Sequence, residues 1–343
     1  MKKSLNYKVS TTLLLATALM FTGCNSKKYF EPEHALSAQG ASTVYGGTIV
    51  NQSRDGATLS NGTYIGKSGL STINLGSGYR FLSESSSYIL ASNPIGSLKI
   101  IKKSNGTALR TVELNTPVVS ASIKGDYISY ILNNNSFGLY SISKNKKIIQ
   151  NQSGTTYAID TRAATPIYID NLAVFPMLDG KLAVADKTNP ENTSAIYLSS
   201  NQSFNNVIFL SRISNTLVAA TPKKLILVGP NGQEELRANI SDINIMGGYI
   251  YLFTKDGEIR KLDMSLNEKA RTKFDYVHFS ASTAVAGKIF GLDQKGSLIV
   301  LNSSLTKHQI YDIGEVSSPV FITGTKLYKD GNIINLSKLG YEK

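Results

Sequence analysis

Hydrophobic and polar positions change over in short bursts along most of the chain. From Val44 onward, brief runs of β-branched and aromatic residues are separated by Gly, Asn and Asp. Residues 225–228 (LILV), 250–254 (IYLFT) and 298–301 (LIVL) are examples, each too short for a helix of ordinary length and rich in residues that suit a pleated strand. No stretch keeps a 3.6-residue period. Residues 123–132 (IKGDYISYIL) admit either reading, but Gly125 and the Tyr and Ile content favour strands. The pattern predicts an all-β chain.

The turns between the strands recur. Ile95-Gly96, Asp179-Gly180, Asp256-Gly257, Lys295-Gly296 and Asp330-Gly331 each open a run with Leu or Ile two residues after the Gly (Leu98, Leu182, Ile259, Leu298, Ile333). Another apolar residue follows five after the Gly (Ile101, Ala185, Leu262, Leu301, Leu336). A hairpin turn needs Gly where φ must be positive, and the next strand must put side chains on a buried face. Weaker copies fall at Gly56 and Gly138, and a Gly-less one at Lys224. These anchors step by about 39 residues and define eight units. Thr116-Pro117, Thr165-Pro166 and Ser318-Pro319 each open a unit, where Pro breaks no ladder.

Four short strands per unit, repeated without helices, predict an eight-bladed β-propeller with four-stranded blades over residues 43–343. A sandwich or barrel of unrelated hairpins is the competing reading, and eight phased units would make it unusually long. The last anchor lies close to the C-terminus, so the final blade is expected to lack a strand. One within residues 43–50 is expected to complete it and lock the ring.

Residues 1–23 read as a lipoprotein signal peptide. Lys2, Lys3 and Lys8 make a basic start, and residues 9–21 form an apolar run of about 13 residues, short of the roughly 20 that span a bilayer. Thr22 and Gly23 lead into Cys24, the single Cys. Phe21-Thr22-Gly23-Cys24 resembles the bacterial lipoprotein cleavage box. That resemblance implies lipidation of Cys24 after cleavage and, with Asn25 following, export to the outer membrane. Residues 24–42, polar and carrying Pro32 and Gly40, are expected to be the anchor and a flexible tether.

Composition narrows the chemistry. One Cys and three His argue against disulfides and against a Cys- or His-based metal centre. No nucleophile elbow, zinc-protease helix motif or P-loop is present. Glu234-Glu235 fits a hairpin mouth, Asp160 and Asp170 fit turns, and His34, His278 and His308 are isolated. No catalytic residue, cofactor or metal is therefore expected, and the chain is read as no enzyme. Cleavage would remove three lysines and no acid, taking the formal charge from +12 to +9. The lysines are dispersed, and no cluster is interleaved with aromatics as nucleic-acid binding requires, so no nucleic-acid partner is expected. Lys27-Lys28, beside the anchor, suits contact with anionic head groups.

The Thr-Pro starts and the Asp-Gly-x-Leu turn and strand resemble the repeats of quinoprotein-dehydrogenase-like propellers. With the lipoprotein leader, the chain resembles the BamB-like outer-membrane assembly lipoproteins over about residues 44–336. That resemblance implies a periplasm-facing scaffold, monomeric within a larger complex, that binds the β-barrel assembly machinery and unfolded outer-membrane proteins. Another envelope role, binding cell wall or a surface ligand, is the alternative. The repeats of those propellers carry a Trp late in each blade, and this chain has none; its 18 Tyr and 12 Phe are the candidates to replace it.

Overall fold

The computed structural model describes residues 28–38, 42–156, 162–198, 205–230 and 232–341. Their strands form eight antiparallel sheets in chain order, the blades of a β-propeller. Blades one to seven occupy residues 49–70, 80–113, 118–152, 167–197, 209–237, 240–273 and 279–312, and blade eight is residues 321–335 with residues 42–44. Apart from a short 3-10 turn at Leu336–Lys338, the described residues contain no helix.

Each blade runs from its first strand, at the channel, to its fourth, at the periphery. The two middle strands are covered on both faces. In blade seven Lys288–Asp293 and Ser297–Asn302 are buried almost end to end. Such strands read as unbroken apolar runs because a neighbouring blade lies on either side. The fourth strands are largely exposed instead, as in Glu268–Lys273 and Gly232–Arg237.

The core follows from this. There are eight hydrophobic clusters among the described residues, and each straddles two neighbouring blades, including one between blades eight and one. Aromatic contacts mark several of these seams. Tyr64 stacks on Phe81 with centroids 4.6 Å apart, Phe137 meets Phe175 at 4.8 Å, and Phe253 meets Phe279 edge-on at 5.0 Å. Phe and Tyr thus do the inter-blade packing in this Trp-less chain.

One hydrogen bond recurs in every blade. The carbonyl at the turn between second and third strands accepts from the N–H just past the end of the fourth strand. The pairs are Leu75 to Gly62, Leu114 to Gly96, Ser153 to Asn135, Leu198 to Gly180, Ala238 to Lys223, Phe274 to Gly257 and Ile313 to Gly296, at 2.9–3.1 Å. This bond fixes the phase of the repeat and corrects three anchors, that of blade five by one residue, from Lys224 to Lys223. Gly56 lies in the turn before the second strand of blade one, and Gly62 holds the anchor position there. Gly138 lies inside a strand, where a Cβ would strike the Tyr130 ring and the Ile149 carbonyl. Asn135, with φ 62°, takes the anchor position in that blade. At Gly257 and Gly296 φ is 86° and 93° and a Cβ would run into the carbonyls of Phe274 and Gly314, so the turn conformation and the close approach both call for Gly.

In blade eight the same bond is made by the other end of the chain: the Tyr45 N–H donates to the Gly331 carbonyl at 2.9 Å. Ser42–Val44 pairs antiparallel with Asn332–Asn335 and supplies the missing fourth strand. Of residues 43–50, expected to close the ring, Thr43 and Val44 do so together with Ser42 before them, while Ile49 and Val50 belong to Ile49–Gln52, which opens blade one. Tyr45 packs edge-on against Tyr328 at 5.5 Å. The described part of the expected tether is not free: Leu36–Ser37 runs parallel to the fourth strand of blade seven, and Phe30 packs on Phe274 of blade six.

Two expectations follow for the closure. The Tyr45 hydroxyl is buried with no hydrogen-bond partner among the described residues, so Tyr45→Phe should hold or slightly raise the denaturation midpoint, whereas Tyr45→Ala should lower stability by about 2–4 kcal/mol. Equal losses in urea titrations of the two variants would contradict this account. At the neighbouring turn, burial pushes the Asp330 pKa up, but the Lys329 ammonium and the Ser318 and Ser317 hydroxyls outweigh it and hold the carboxyl below its ordinary value. A group held low in the folded state stabilises above its unfolded pKa and stops doing so as pH falls. Asp330→Asn should therefore lose stability at pH 7 and flatten the decline between about pH 5 and pH 2, read from thermal midpoints.

Candidate binding site

The first strands of the blades line the channel, where small and polar residues such as Asn51, Ser120, Ser241 and Ser282 mix with apolar ones such as Val50, Val119 and Ile322. At one mouth they frame a cavity of about 780 Å3 to which every blade except the fourth and fifth contributes, with Arg162 and Ala163 added from the segment leading into blade four. Its wall is stitched across blade boundaries. Gln52 Nε2 donates to the Val320 carbonyl at 2.6 Å, Ser53 Oγ to Leu82 at 2.9 Å, Ser241 Oγ to Phe279 at 3.2 Å, and the Arg80 guanidinium to Val118. Each bond ties one blade to the next. They also satisfy strand carbonyls that would otherwise face the channel unpaired.

Arg54 reaches furthest. It sits in the turn after Ile49–Gln52, a four-residue strand, and extends from blade one to blade six. Its Nη1 meets Asp242 Oδ1 at 2.8 Å, and its guanidinium lies 5.2 Å from the Phe209 ring centre in blade five. The other oxygen of Asp242 accepts from Ser282 Oγ at 2.8 Å, and Ser282 accepts in turn from Asn244 Nδ2 at 2.6 Å. Asp242 is thus fully engaged.

The charge at this mouth is one-sided. Arg54, Arg80, Arg162 and Lys255 line the cavity, and Asp242 is the one carboxylate among its described lining residues. Burial lowers the Arg80 pKa, although a guanidinium stays protonated over the physiological range. Asn51 Oδ1, also in the wall, is buried without a partner.

Cys24 and Asp160 lie outside the described residues. His34 is exposed, His308 packs edge-on to Phe274 at 5.2 Å, and His278 stands on the cavity rim with its backbone N–H bonded to Asp293 at 2.7 Å. Glu235 lies in the outer strand of blade five and pairs with Lys224 at 2.7 Å, and Asp170 occupies a turn with φ 50°. The structure does not bring these residues together. Among the described residues no group of three His, Cys, Asp or Glu could hold a metal. The channel residues left no mark in the sequence, since Arg54 and Asp242 are 188 positions apart. Their one trace is the polar interruption in 240–246 (ISDINIM).

No family model matches the chain. Two curated relatives, the plasminogen-binding protein PgbB of two Helicobacter pylori strains, are each 28% identical over 96% of this chain and 70% or 69% of their own length. Among solved structures, BamB from Moraxella catarrhalis matches with a TM-score of 0.67 at 16% identity, over 85% of this chain and 98% of that one. The C-terminal WD40 domain of Sif2 matches with a TM-score of 0.60 at 14% identity, over 88% and 95%. The chain has a BamB-like propeller fold.

The Arg54–Asp242 pair should carry measurable coupling. Asp242→Ala strands a guanidinium and the Ser282 hydroxyl, and should cost about 1–3 kcal/mol. A double-mutant cycle with Arg54→Ala in chemical denaturation is expected to give about 1–2 kcal/mol of interaction, and additive losses would mean that the pair contributes nothing.

Proposed function

We propose that this chain is a non-catalytic binding propeller of the bacterial cell envelope, held to a membrane by lipid on Cys24, whose ligand is a protein. The observation that carries this reading is the likeness to PgbB, which runs through 96% of the chain at 28% identity. The geometry agrees with it. A closed ring stitched across its channel presents a rigid rim and a cation-lined mouth, and the polar groups of Arg54, Asp242 and Ser282 are consumed in structural bonds. Such a surface recognises partners by shape and charge and needs no movement to do so. Plasminogen, the ligand in the relatives' name, is the first partner to test.

A second reading is favoured by the likeness in fold to BamB. In it the chain faces the periplasm from the outer membrane and assists assembly and insertion of β-barrel proteins, with the barrel-assembly machinery and unfolded outer-membrane proteins as partners. Topology separates the two readings. On intact cells carrying the tagged full chain, the first expects plasminogen capture and cleavage of the propeller by added protease. The second expects neither, and expects the assembly machinery to co-purify from detergent-solubilised envelopes. Both expect Cys24→Ala to leave the membrane fraction; a variant that still pellets with membranes would sink the lipid anchor.

A further inference from the structure

We infer that the cation-lined mouth of the channel seats an acidic peptide segment of a protein partner, whose carboxylates pair with Arg80 on one wall and Lys255 on the opposite one. This rests on the reading of the chain as a protein-binding scaffold and names the chemistry of what it binds.

The first argument is charge. Arg54 is neutralised by Asp242, so the one described carboxylate of the wall repels an incoming anion little. Arg80 bonds a single backbone carbonyl and retains donors in its five-donor fork. The exposed Lys255 ammonium has no partner among the described residues. Arg162, which is itself partnered, also lines the cavity. Low-dielectric walls around one sign of charge focus that field on the mouth.

The second argument is placement. Arg80 starts the first strand of blade two, and Lys255 follows the second strand of blade six, half a turn away in an eight-bladed ring. The charges therefore encircle the opening and do not converge on one point. An extended peptide, advancing about 3.3 Å per residue with side chains on alternate faces, can present carboxylates to both walls. The cavity of about 780 Å3 is large enough to admit a short segment of chain. The wall also offers hydrogen-bonding side chains to a peptide backbone, with Gln294 and His278 at the rim.

The test is a fluorescence-polarisation titration of the full chain, in detergent, with a labelled hexapeptide of alternating Glu and Ser. Saturable binding that weakens as salt rises is expected, with Arg80→Gln and Lys255→Gln each reducing affinity about threefold to tenfold. Lys307→Gln, on an outer turn of blade seven, should leave it unchanged. Lys255 is exposed, so its variant keeps the test decisive even where Arg80→Gln fails to fold. Absence of saturable binding, equal weakening by Lys307→Gln, or displacement by tripolyphosphate at lower concentration than by unlabelled peptide would each overturn the assignment. Capture of envelope protein by wild type and equally by Lys255→Gln would overturn the seat and leave the scaffold standing. Peptide binding without any captured protein would keep the seat and overturn the scaffold.

Discussion

A four-stranded sheet buried on both faces cannot stand alone, and every other feature of this protein depends on how that constraint is met. Each blade of this chain has two apolar faces, and all eight hydrophobic clusters lie at seams. An open row of such blades would leave two faces to water, at about 25 cal/mol for each Å2 of apolar surface. Only a closed ring leaves none. Closure joins blades eight and one through a shared apolar cluster and the Gln52–Val320 bond, and blade eight is completed there by Ser42–Val44, the bond from Tyr45 to Gly331 and the contact of Tyr45 with Tyr328. A small set of contacts thus guards a much larger apolar area.

The channel is a by-product of closure that the sequence has put to use. Its wall carries the second set of bonds between blades, from Gln52 to Val320 and from Ser53 to Leu82, at the inner radius. Packing at the seams and polar stitching at the axis therefore divide the same task. Arg54 crosses between them: its turn enters the channel because the strand before it is only four residues long. A longer strand in blade one would carry that turn past Asp242. The neutralised centre follows from that short strand.

Much of this was legible in residue order because the repeat is written in turns. Five Asp-Gly-like anchors and three Pro-led starts sit where local backbone geometry demands them, and the structure places all eight in the expected roles. The phase failed where chemistry substituted for Gly. Asn135 takes the positive φ in blade three, while Gly138 is there for the ring of Tyr130, a tertiary cause that no local pattern reveals. Replacement of the missing Trp by Phe and Tyr was foreseeable in kind, though the pairs that meet were not. The cationic mouth was not legible at all, since its residues come from loops scattered round the ring and share no spacing.

The split eighth blade also has a consequence in time. Its fourth strand is among the first described segments of the chain, and its partner, Asn332–Asn335, is among the last. The pairing has nearly the greatest sequence separation the chain allows, and contacts of that kind form late. As the polypeptide emerges, blades one to seven can each pair within themselves and stack on the blade before, building a crescent with a bare face at either end. Residues 42–44 wait through all of this without their partner. The native ring is a single final event, and until it happens the chain carries two sticky ends that a chaperone, or a second copy, could meet first.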